Sequence, residues 1–179
     1  MSGKVVAGAR LAVLLTAAVA ALAWVVTAAA RLNYPYELEW MEGAMVDQTA
    51  RLAAGLPIYV APTPEFVPSV YTPLLYCLAA PLMQLLGVGY LPLRLVAMAA
   101  TLAVCGCLFL LVRRETGDRA SGLLAAGLLL AAYRVGGAWY DIGRADMLCL
   151  ALTLAGALVT RRARTAPQGV LAAVLLTLA

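Results

Sequence analysis

The chain has 179 residues, 64% of them hydrophobic and 12% charged, with a net charge of +4, no histidine and a mean hydropathy of +0.92. Soluble globular domains carry about twice that charged fraction, so the composition excludes one and indicates a polytopic membrane protein. Without histidine there is no Ser/His or Cys/His nucleophile pair, and any acid, base or metal chemistry falls to carboxylates.

Residues 11 to 30 make a first span, preceded by Lys4 and Arg10. Its apolar run exceeds that of a cleavable signal peptide and further spans follow, so it reads as an anchor that stays in place. The loop from 31 to 90 holds most of the non-membrane content. Within it Glu39 and Glu42 lie three apart, and they share a helix face if a helix begins as early as Leu38. Two readings of this pair stay open. Both acids can be solvated at a helix N-terminus, where the dipole favours them, or they can hold a divalent cation or supply a general base.

Residues 43 to 54 read as a short amphipathic helix able to pair Asp47 with Arg51, stopping at Gly55-Leu56-Pro57. Five prolines from Pro57 to Pro73 then break regular structure. The apolar stretch 72 to 86 covers about 20 Å as a helix, short of the ~30 Å hydrocarbon core, and reads as an interfacial helix. Spans are expected at 91 to 112, 120 to 140 and 145 to 160, with an incomplete one over 169 to 179 that marks the chain as the N-terminal part of something longer. The cysteines, at 77, 105, 107 and 149, all sit in apolar runs and lack metal or redox spacing.

If 72 to 86 does not cross, Lys4, Arg10, the Arg113–Arg119 loop and the Arg161–Arg164 loop all fall on the cytoplasmic side, as the positive-inside rule requires. The basic residues are thus a topology signal and not a nucleic-acid patch. Tyr71, Tyr140 and the other tyrosines, with Trp40 and Trp139, then gather at the outer side, either as a working face or as an interfacial belt. Both acidic motifs, Glu39-Trp40-Met41-Glu42-Gly43 and Asp141-Ile142-Gly143-Arg144-Ala145-Asp146, face outward too. Asp146 can be an ordinary helix cap. Arg134 can snorkel or, with Arg144, bind a phosphate group.

The ordered set ELEWMEGAMVDQTARLAAGLPIY, VYTPLLYCLAAPLMQLLG and the later Arg144-x-Asp146 resembles the class C polyprenyl-phosphate-sugar glycosyltransferases. It is most similar to the bacterial family 39-like membrane enzymes, relatives of the protein O-mannosyltransferases and the lipid A aminoarabinose transferase. Many members carry Asp-Tyr-Gly-Glu-Gly where this chain has Glu39-Trp40-Met41-Glu42-Gly43. The resemblance implies an all-α transmembrane bundle in the plasma or inner membrane, with a cytoplasmic N-terminus and outer juxtamembrane helices.

It also implies transfer of a sugar from a polyprenyl-phosphate carrier to a lipid, glycan or protein hydroxyl on the extracytoplasmic face. Glu42, Glu39 and Asp146 are the catalytic candidates, Glu39 and Glu42 also the candidates for a divalent metal. Arg144, Arg134, Tyr71, Tyr140 and Asp141 are the substrate-binding candidates. The family's later loops help hold the lipid phosphate, so this stretch alone is expected to be inactive. A transporter or flippase with an outer-end acidic and arginine site is the alternative, and a membrane scaffold a third reading.

Overall fold

The computed structural model describes residues 3–179, apart from the side chains of 3, 4 and 6, so the Lys4 side chain lies outside the described residues. These residues form seven helices and no strands: α1 (Gly3–Leu32), α2 (Met41–Ala53), α3 (Leu74–Leu86), α4 (Tyr90–Thr116), α5 (Arg119–Ala131), α6 (Asp146–Thr160) and α7 (Ala166–Leu178). Two stretches, Ala7–Leu32 and Tyr90–Thr116, are long and apolar enough to cross a membrane.

Small residues set how the long helices meet. α1 and α5 run parallel: Arg10 pairs with Asp118 at the start of α5, and Arg31 bonds the Tyr133 hydroxyl just beyond its end. Between these points a Cβ on Gly127 would collide with that of Ala17, so glycine is what allows the backbones to approach. α4 runs antiparallel to α1, with Arg94 near its start bonding the Arg31 carbonyl. α4 also packs on α5 and α6, and α6 on α7.

α2 and α3 form a separate layer over the start of α4, around Met45, Leu75, Tyr76, Met83 and Leu93. The proline-rich stretch is fastened to this layer by Gln48, whose side-chain amide donates to the Ser69 carbonyl (3.1 Å) and accepts from its N–H (2.8 Å). The expected Asp47–Arg51 pair is replaced. Arg51 donates to the Pro57 carbonyl and stacks on Phe66, 4.3 Å from the ring centre, because the chain doubles back over α2.

The expected helix over 120 to 140 ends at Ala131, and residues 132 to 138 are turns. Gly137 (φ 83°) and Ala138 (φ 58°) adopt left-handed backbone, which the Gly136-Gly137 pair makes accessible. Thirteen helical residues cover about 20 Å. The last helix begins at Ala166, earlier than the expected 169, with proline in its first turn where no N–H is needed.

Charge is layered along the bundle. Arg10–Asp118 and Arg161–Glu115 pair at one end, while Arg31, Glu39, Glu42, Arg94, Asp141 and Arg144 gather at the other. Along α4, Arg94 and Glu115 are 21 positions apart, and at the helical rise this is about 32 Å.

Candidate functional site

The end that collects the acidic motifs is organised by an arginine that sequence reasoning passed over. Glu42 lies in the first turn of α2 and Arg94 in the second turn of α4, and both side chains are fully buried. They meet as a fork: Nε donates to Oε1 and Nη2 to Oε2, each at 2.8 Å. The other three N–H groups of Arg94 reach the carbonyls of Arg31 (2.9 Å), Tyr34 (2.6 Å) and Tyr36 (2.8 Å), so all five donors are used.

Glu42 is equally saturated. Its Oε1 also accepts from the Gly143 N–H (2.9 Å) and its Oε2 from the Leu38 N–H (2.9 Å). The unit therefore ties α2 to the exit of α1, the start of α4 and the second acidic motif. Burial pushes the Glu42 carboxyl up, but the Arg94 fork and the two amides outweigh it and hold the group below its ordinary pKa. An ionised carboxylate with every acceptor position filled has none left for a substrate proton. Gly143 belongs to the same unit, since a Cβ there would lie 2.9 Å from the Leu93 Cβ and 3.2 Å from the Glu42 Cγ.

Glu39 and Glu42 do not share a helix face. α2 begins at Met41, and Glu39, in the turn before it, goes to a different arginine. Arg144 donates through Nη1 to Glu39 Oε2 (3.0 Å) and through Nε to Asp146 Oδ2 (2.8 Å), with its guanidinium 4.1 Å from the centre of the Trp139 ring. Burial pulls the Arg144 pKa down, but the two carboxylates raise it above its ordinary value. Among the described residues no three Asp, Glu, Cys or His side chains converge, and the two glutamates face separate arginines. This donor set does not fit a divalent cation.

Asp146 is the open carboxylate. It is the first residue of α6, and its side chain is 48% exposed against 12% for Glu39 and none for Glu42. It borders a small recess with Met41, Met45 and Tyr71. It also borders a hollow of about 410 Å³ walled by Tyr71, Thr72, Leu75, Leu148 and Cys149. The Tyr71 hydroxyl approaches the Met41 sulfur, and the Tyr71 carbonyl accepts from Tyr59.

Asp141 and Tyr140 belong to a neighbouring cluster. Asp141 Oδ1 accepts from the Tyr133 hydroxyl (2.7 Å) and from Arg31 Nη1 (3.2 Å), while its buried Oδ2 has no partner among the described residues. Burial pushes the Asp141 pKa above the ordinary value despite Tyr133 and Arg31, and the nearby Glu42 charge adds to the rise. Tyr140 stacks edge-on against Tyr133 at 5.5 Å, and its carbonyl accepts from Thr101. Arg134 is separate from Arg144: it borders a groove between α1 and α5 and has no ion pair or side-chain hydrogen bond among the described residues.

The structure thus joins Glu39, Arg144 and Asp146 beside Tyr71, sets Glu42 behind them as framework, and leaves Arg134 apart. Arg94 had one signal in the sequence, an ionisable residue inside an otherwise apolar span, which calls for a buried partner. Comparisons with protein-family models, curated proteins and solved structures return no match for this chain.

Proposed function

We propose that this chain carries the acceptor-activating site of an integral-membrane glycosyltransferase that takes sugar from a polyprenyl-phosphate carrier. The observation that carries the reading is Asp146, a half-exposed carboxylate bordering a hollow and oriented from behind by the Arg144–Glu39 pair. The separation of about 32 Å between the charged layers, close to a hydrocarbon core of ~30 Å, supports a multi-pass protein. With the basic layer of Arg113, Arg114, Arg161 and Arg162 inside, the hollow opens on the extracytoplasmic face of the cell membrane.

In this reading the acceptor hydroxyl enters the hollow and gives its proton to Asp146. Its oxygen forms the new bond to the anomeric carbon as the bond to the phosphate oxygen breaks, with inversion, and polyprenyl phosphate leaves. Arg144 fixes the Asp146 rotamer, Glu39 fixes Arg144, and Glu42 with Arg94 holds the frame.

The test is transfer from a labelled polyprenyl-phosphate sugar panel by the complete gene product in membranes. Transfer supports the assignment, and its absence with every donor from folded protein overturns it. A substrate carrier is the competing reading, favoured by the non-helical stretch between α5 and α6, and would instead move labelled solute across vesicles without new glycosidic bonds.

A further inference from the structure

A second site lies apart from the Asp146 hollow, with which its lining shares no residue. Between α1 and α5 runs a groove of about 760 Å³, walled by Val19, Ala23, Trp24 and Leu130, with Arg31 and Arg134 at its head. From Thr16 to Arg31 the wall covers 15 steps of α1, or about 22 Å. This exceeds a single leaflet's hydrocarbon depth of ~15 Å, half the core. Thr16 and Thr27 return their hydroxyl hydrogens to the backbone four residues earlier, so the wall offers an occupant almost no polar partner.

The charge at the head of the groove is unbalanced. Arg31 is matched by Asp141, whereas the exposed Arg134 meets no carboxylate among the described residues. An apolar trough deeper than a leaflet and headed by a surplus guanidinium fits one class of ligand, a lipid with an anionic phosphate head. We infer that this groove is a binding site for one anionic phospholipid of the outer leaflet, its phosphate on Arg134 and an acyl chain along α1 and α5. The inference rests on the membrane-spanning reading but not on sugar transfer. It commits to a bilayer phospholipid and not to the polyprenyl-phosphate donor.

The test is native mass spectrometry of the complete gene product, extracted in mild detergent and titrated with phosphatidylglycerol or phosphatidylcholine. The expected result is one retained phosphatidylglycerol, no comparable retention of phosphatidylcholine, and affinity about tenfold lower in Arg134→Gln, the loss of one charge-assisted contact. Ala23→Trp, at an exposed position on the wall, should block retention by filling the trough while circular dichroism stays unchanged. Equal retention of both lipids, full retention by either variant, or displacement by stoichiometric polyprenyl phosphate would each overturn the assignment.

Discussion

Replacing Arg94 with methionine gives the sharpest test of the buried frame. The substitution leaves a fully buried carboxylate without its counter-ion and the carbonyls of Tyr34 and Tyr36 without their donor, while that of Arg31 keeps the Tyr34 N–H at 3.0 Å. Breaking a buried pair from one side costs about 3–5 kcal/mol. Glu42→Met strands the arginine instead, with a loss of similar size. In the double variant neither charge remains, and what is left unsatisfied is backbone: the carbonyls of Tyr34 and Tyr36 and the N–H groups of Leu38 and Gly143. Its loss should therefore fall short of the sum of the single losses by at least ~2 kcal/mol, a coupling expected only of direct partners. Denaturant unfolding in detergent micelles, followed by tryptophan fluorescence, measures the cycle. Losses that add within about 0.5 kcal/mol would refute the pairing.

Gly143→Val should cost about 1–3 kcal/mol by driving Leu93 and Glu42 apart, and an unchanged melting temperature would contradict the close approach. For Asp141, whose pKa is raised in the fold, the cost of its charge is absent below the unfolded pKa and complete once pH passes the raised one. Asp141→Asn should accordingly raise thermal stability at neutral pH and give no gain in acid, and a marked loss at neutral pH would contradict it. Glu42 runs the other way: its depressed pKa contributes stability above the unfolded pKa that disappears as pH falls through the folded value. In Glu42→Gln this acid-side loss should be missing from the melting profile. A cysteine at Glu115 should react with an impermeant maleimide only from the cytoplasmic side, and labelling from outside would invert the bundle.

Much of the architecture was legible because a single segment's composition decides it. α1 and α4 are long apolar runs bounded by charges, and α2 ends two residues before Gly55, read directly as a breaker. α5 was misread because apolar residues continue past Ala131 and hydropathy does not register the left-handed turn at Gly137 and Ala138. The pairing of charges was not legible. Glu42 and Arg94 lie 52 positions apart, and only the packing of α2 over α4 makes them partners. Spacing also made Glu39 and Glu42 a natural pair, yet the helix starts after Glu39 and turns the two carboxylates toward different arginines. Which acid stays open is a matter of burial, and burial here is set by those long-range contacts.

In the proposed reaction the open carboxylate of Asp146 reacts and the saturated one of Glu42 supports. The measurement that tests it most directly compares Asp146→Asn with Glu42→Gln in the same membranes, scoring labelled sugar transfer against the amount of folded protein. The account predicts that Asp146→Asn folds to the normal level and loses at least ~100-fold in transfer, the usual contribution of a general base, while Glu42→Gln loses folded protein in proportion to its activity. Normal transfer by Asp146→Asn, with a well-folded but inactive Glu42→Gln, would contradict it.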